Sequence, residues 1–131
     1  MKLLLDTHIW IWAVNSPGKL SRRVQREIQR TNNQLYLSPI SIWEAHHLAR
    51  RGRFRLRQTV PEWIEQLLAS IAVHEAPLTF QIAAAAALIN LPQPDPGDVL
   101  LAATASVLDL TLVTTDSQLL GCSWLKTLPN N

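Results

Sequence analysis

The stretch that most constrains this chain is its beginning, Lys2-Leu3-Leu4-Leu5-Asp6-Thr7-His8. Three consecutive leucines form a short apolar run, and its length suits a buried strand better than a helix. A strand apolar on both faces belongs in a parallel sheet covered by helices on both sides. Asp6 falls where that strand should end. In open α/β sheets, ligands bind outside the carboxyl ends of the strands. The competing reading makes Asp6 the N-cap of the next helix, because Asp is a favoured cap. Asp6 alone does not separate the two.

The remaining chain alternates helical and extended patterns. His8 to Val14 reads as a short helix, ended by Asn15-Ser16-Pro17-Gly18. Ser21 caps a helix from Arg22 to about Arg30, whose apolar positions Leu20, Val24 and Ile28 recur every four residues. Leu35-Tyr36-Leu37 is a second strand. Pro39 and Ser41 announce a helix from Ile42 to Arg51, stopped by Gly52, with Glu44 in its first turn. Pro61 suits the first turn of a further helix carrying Trp63, Ile64, Leu67, Leu68 and Ile71 on its inner side. Val73 to Ala76 is a weak strand, and Thr79 caps an Ala-rich helix from Phe80 to Leu88. Leu91 to Gly97 carries three prolines and reads as a rigid loop, after which Asp98 begins a helix over Val99 to Leu108. Leu110 to Thr114 is a clear strand followed by Asp116, and Trp124 to Thr127 reads as an edge strand. This alternation predicts one α/β domain over residues 1–131 with a mainly parallel sheet.

Composition narrows the function classes. The chain has 131 residues, 47% hydrophobic and 17% charged, which suits a globular core and excludes disorder. Its single cysteine, Cys122, excludes an internal disulfide framework and fits a reducing compartment. No apolar run approaches a membrane span, and Asp6 and His8 interrupt the first apolar stretch too early for a signal peptide. These features predict a cytoplasmic protein without a membrane partner. A net charge of +2 is too mild to name a nucleic-acid partner. Its distribution says more, since Arg50, Arg51, Arg53, Arg55 and Arg57 crowd one short segment.

Four carboxylates share a topological address. Asp6 and Asp116 follow strands, while Glu44 and Asp98 sit at the starts of helices. In a parallel sheet, strand C-termini and the helix N-termini after them lie along one edge. Carboxylates gathered there repel, and their pKa values rise unless a cation relieves them. Oxygen-only ligands suit Mg²⁺ or Mn²⁺ over zinc. A metal-bound water then supplies a nucleophile, and the metal polarises a phosphoryl oxygen.

At these residues the sequence resembles a known family. Leu3-Leu4-Leu5-Asp6-Thr7-His8, Ser41-Ile42-Trp43-Glu44-Ala45, Asp95-Pro96-Gly97-Asp98 and Leu112-Val113-Thr114-Thr115-Asp116 look like the motifs of PIN-domain ribonucleases, in the family's order. The likeness is to the VapC toxins of bacterial toxin–antitoxin pairs. It implies a PIN-like three-layer α/β/α domain and Mg²⁺- or Mn²⁺-dependent endonucleolytic cleavage of RNA. It also implies a small antitoxin that blocks the site. The resemblance places the metal-binding acids at Asp6, Glu44, Asp98 and Asp116, with Asp6 and Asp98 the most direct ligands. The sequence departs from its relatives at Gly97, where Phe is usual, at Val99, where Arg is usual, and at Leu48, where Lys is common.

Other residues carry supporting expectations. Arg50, Arg51, Arg53 and Arg55 form a candidate phosphate track, with a solvated surface run as the competing reading. Thr7, Thr114 and Ser117 are candidates for holding the acids or a water by hydroxyl hydrogen bonds, with N-cap duty the alternative for Ser117. His47 shares a helix face with Glu44, and His8 lies near the same site. Trp10, Trp12 and Trp43 are candidates for an apolar patch facing an antitoxin helix or a second copy in a homodimer, with core packing the competing reading and the fate expected of at least one. The alternative to a nuclease is an inactive or weakly active PIN-like regulatory module. A phosphorylated receiver domain is disfavoured, since no acidic pair follows an early strand. No Gly-rich phosphate loop supports nucleotide binding.

Overall fold

A computed structural model describes residues 1–131. Five strands, β1 (Lys2–Leu5), β2 (Gln34–Leu37), β3 (His74–Glu75), β4 (Thr111–Thr114) and β5 (Thr127–Pro129), form one sheet. Seven helices connect them: α1 (Thr7–Asn15), α2 (Arg22–Gln29), α3 (Pro39–Arg50), α4 (Val60–Ser70), α5 (Phe80–Ala86), α6 (Pro96–Leu108) and α7 (Ser117–Leu120). All strand pairings are parallel, in the order β3-β2-β1-β4-β5.

The alternation of side chains along β1 builds the two outer layers. Leu3 and Leu5 point into one core with Ile9, Trp10, Val24, Ala45 and Leu67, from α1 to α4. Leu4 points the other way, to Leu101, Ala102 and Ala105 of α6 and Leu119 of α7. All three leucines are fully buried. Each such burial contributes about 1.5–3 kcal/mol over an exposed side chain, so β1 anchors both layers of a three-layer α/β/α domain. The Ala-rich α5 packs on α6. No helix is long and apolar enough to cross a membrane.

Strand order fixes where a ligand can sit. From β1 the chain winds outward through β2 to β3, then returns to the opposite side of β1 for β4 and β5. The winding reverses between β1 and β4, and a crevice opens there at the strands' carboxyl ends.

Several boundaries differ from the sequence reading. Helix α3 starts at Pro39, capped by Ser38 through Ile40 N. Glu44 therefore lies beyond the first turn, where the helix dipole no longer explains it. Helix α6 starts at Pro96, because the Asp95 side chain accepts from Gly97 N and Asp98 N. The loop reading of Pro96-Gly97 missed that Asp-Pro is an N-cap followed by a favoured first helical residue. The edge strand is Thr127–Pro129, three residues later than Trp124. Leu68 is 41% exposed, on the outer side of α4.

Candidate active site

The crevice between β1 and β4 opens into a cleft of about 570 Å³ whose walls include Asp6, Glu44, Asp95, Asp98 and Asp116. Asp6 leaves β1 with its backbone N–H donating to Val113 O at 3.0 Å, so the end of β4 fixes its place. Its Oδ1 accepts from Thr7 N at 2.7 Å, and its Oδ2 accepts from the Thr114 hydroxyl at 2.6 Å. The cap reading and the site reading of Asp6 thus use different oxygens of one carboxylate. Asp116 is divided in the same way. Its Oδ1 caps α7 by accepting from Gln118 N at 2.9 Å and Leu119 N at 3.2 Å, leaving Oδ2 without a donor.

Thr114 ties the two strand-end acids together. Its hydroxyl donates to Asp6 and accepts from Asp116 N at 3.0 Å. Thr7 does the same for α3. Its buried hydroxyl donates to Glu44 Oε1 at 2.6 Å and lies 2.8 Å from the Ser41 hydroxyl oxygen. Ser117 occupies the first position of α7 and is exposed, with Asp116 taking the cap it was a candidate for.

Electrostatics single out Asp98. No donor of the chain reaches its carboxylate, and burial, followed by the charges of Asp116, Asp6, Asp95 and Glu44, pushes its pKa up to about 7. Burial also raises Asp6, against the hydrogen bonds from Thr114 and Thr7 that lower it. Burial raises Glu44 too, with Thr7 opposing and Asp6 and Asp95 adding. For Asp98 the folded pKa exceeds the unfolded value of about 3.9. Between those values the folded chain keeps a proton that the unfolded chain has lost. Stability should therefore fall as pH rises from about 4 to 7. The loss is on the order of 1–2 kcal/mol, discounted because Asp98 is half exposed. Melting curves in EDTA between pH 5 and 8 should show this slope, and Asp98→Asn should flatten it. An unchanged slope in the variant would remove Asp98 as its source.

As they stand, no three His, Cys, Asp or Glu side chains come close enough together to hold a metal ion as a set. The donor chemistry still fits one ion class. Every acid in the cleft offers oxygen and no cysteine lines it. A hard cation such as Mg²⁺ takes one or two carboxylates directly and keeps several waters. Both oxygens of Asp98, Oδ2 of Asp116 and Oε2 of Glu44 accept from no donor of the chain.

The remaining candidates divide. Arg51, His8, His47, Trp43 and Leu48 also line the cleft, whereas Arg50, Arg53 and Arg55 do not. The expected aromatic patch is broken up. Trp10 is fully buried in the core, Trp12 is partly buried, and Trp43 is 62% exposed. Sequence reasoning missed Asp95 and Ser41. The Asp95-Pro96 pair was the available signal for the first, as an N-cap before proline. Nothing local marked Ser41, which meets Thr7 only through the packing of α1 on α3.

The sequence matches the family model described as PIN domain over residues 3–121. No curated protein matches it significantly. Among solved structures, it resembles a chain of VapBC2 from Rickettsia felis bound to a promoter DNA fragment, at 16% identity and TM-score 0.73, covering 100% of both chains. It resembles a chain of DNA-bound VapBC from Salmonella typhimurium at 19% identity and TM-score 0.69, covering 98% of each. It resembles a chain of VapBC-1 from nontypeable Haemophilus influenzae at 22% identity and TM-score 0.69, again covering 98% of each. At such identities the likeness is one of fold.

Proposed function

This chain belongs to the PIN domain family, and from that premise we propose that it is a Mg²⁺- or Mn²⁺-dependent endoribonuclease acting as the toxin of a toxin–antitoxin pair. PIN domains are generally nucleases and generally use divalent metals. The observation that carries the reading is the cleft at the β1–β4 reversal, lined by Asp6, Glu44, Asp98 and Asp116, where burial and then the neighbouring acids raise the Asp98 pKa. Asp6 and Asp98 are proposed as the direct ligands, with Asp116 and Glu44 completing the site. When bound, the cation lowers the pKa of a coordinated water and polarises a phosphoryl oxygen. The protein's own part is positioning. Thr114 keeps Asp6 and Asp116 in register across the two central strands, and Thr7 holds Glu44 from α1. Arg51 supplies a cation at the cleft wall for a phosphate. Arg50, Arg53 and Arg55 lie beyond it as a proposed outer track.

Gly97 takes on meaning in this frame. A Cβ there would lie 2.5 Å from Glu44 Oε2, 3.0 Å from Glu44 Cδ and 3.1 Å from Asp95 Oδ1. The small residue lets the Glu44 carboxylate approach the start of α6. Gly97→Ala should leave stability unchanged or lower it by about 1 kcal/mol, because the helix preference of Ala is offset when the displaced Glu44 gives up its hydrogen bond from Thr7. It should lower cleavage about ten- to a hundredfold by turning Glu44 aside. Melting temperature and cleavage rate measured together test this, and a variant cutting at the wild-type rate would deny Glu44 a role in the site.

The partner is proposed to be an antitoxin, because the resembling structures are VapBC complexes. A second copy is proposed too, and the exposed apolar side chains Phe80, Leu88 and Trp124 are candidates for burial against it. A cytoplasmic location is proposed with them, since RNA and an antitoxin would be met there. The test is incubation of metal-stripped protein with mixed RNA in Mg²⁺, in Mn²⁺ and in EDTA. Cleavage with either metal and none in EDTA is expected. Intact RNA under all three conditions would turn the reading toward a non-catalytic interaction module.

A further inference from the structure

The proposed chemistry uses the carboxylates and leaves the aromatic rim of the same cleft without a role. Trp43 and His47 stand four residues apart on α3, where side chains are neighbours. Their rings stack at 8° with centroids 5.2 Å apart. Trp43 is nonetheless 62% exposed, and both rings line the cleft. A large apolar ring left in water forgoes the gain of burial. Here it is also held flat by its neighbour, so a planar ligand meets a surface whose rotamers are already restricted. Arg51, which caps the C-terminus of α3, lines the cleft as well.

We propose that Trp43, backed by His47, is a stacking platform for one unpaired base of single-stranded RNA beside the scissile position, with Arg51 meeting a neighbouring phosphate. This rests on the nuclease reading above. An uncharged flat base suits a ring that adjoins Glu44 in sequence and shares a cleft with four other carboxylates. Arg51 on the cleft wall, with Arg50, Arg53, Arg55 and Arg57 next to it in sequence, complements a polyanionic strand. These cations oppose a basic peptide segment on the same shelf. Stacking tolerates any base, so the platform positions the strand more than it reads sequence.

The test is binding of a short, mixed-sequence, single-stranded RNA to the full chain in EDTA at low ionic strength, read by anisotropy and tryptophan fluorescence. Trp43→Ala should weaken binding about ten- to a hundredfold. Trp43→Tyr should restore most of it. An oligonucleotide with one abasic residue at the stacked position should make wild type and Trp43→Ala bind alike. Wild-type affinity in Trp43→Ala, or no tryptophan quenching at saturating RNA, overturns the platform. So does a Trp43→Ala protein that loses only antitoxin binding, which would give the ring to a peptide. The two readings separate with Mg²⁺ added. Trp43-dependent binding without cleavage keeps the platform and removes the nuclease. Cleavage by Trp43→Ala at wild-type kcat/KM removes the platform and keeps the nuclease.

Discussion

Asp98→Asn should abolish RNA cleavage while leaving the metal-free protein more stable than the wild type at pH 8. Loss of a group that merely orients a metal ligand costs about 10–100-fold in metal affinity or activity. Loss of a direct carboxylate ligand should therefore cost at least about a hundredfold. The stability gain has a separate cause. Asp98 has no hydrogen-bond donor to lose, and burial together with four neighbouring acids works against its charge. Asn keeps its size and removes that charge, so apo repulsion falls. Asp6→Asn should lose cleavage alike but gain less stability, because Asp6 accepts from Thr7 N and from the Thr114 hydroxyl. An amide must turn its oxygen to Thr7 and its NH₂ to Thr114 to keep both contacts. Cleavage assays and metal-free melts at one pH test both variants. An Asp98→Asn protein that cuts RNA normally and titrates Mg²⁺ normally would refute the site.

Trp10→Ala should be the most destabilising of the substitutions considered for this chain, at about 3–5 kcal/mol. A domain has only about 5–15 kcal/mol in total, so the variant should be partly unfolded near body temperature. Trp10 is fully buried beside Leu3 and Leu5, at the base of the layer formed by α1 to α4. It has one weakness: its indole Nε1 is buried without a hydrogen-bond partner. An unsatisfied buried donor costs about 1–3 kcal/mol. Trp10→Phe removes that donor as it opens a smaller void, so its net loss should be well below that of alanine. Urea midpoints of the three proteins decide the matter. Equal destabilisation by Phe and Ala would mean that the indole N–H is satisfied after all.

These two residues also mark how far a linear reading reaches. The apolar run before Asp6, the run before Thr114 and the caps Ser21 and Thr79 were legible, because strand and helix leave periods of two and about 3.6 in the sequence itself. From that alternation followed the parallel sheet, and from the sheet the common edge for Asp6, Asp98 and Asp116, while Glu44 reaches the same cleft from beyond the first turn of α3. Periodicity says nothing about which strand lies beside which. The order β3-β2-β1-β4-β5 follows from how whole faces pack, and it alone puts the reversal between Asp6 and Asp116.

The same limit explains the aromatic and basic residues. Trp suits cores and interfaces alike, since its ring is apolar and its edge polar. Trp10 and Trp43 therefore look equivalent until α1 turns one toward β1 and α3 leaves the other in solvent. Arg50 and Arg51 are adjacent in the chain, yet only Arg51 lines the cleft, because α3 ends between them and their side chains leave the backbone in different directions. Local spacing determined the elements and the chemical types gathered at one edge. Tertiary packing, which depends on contacts between residues far apart in sequence, decided which of those side chains meet.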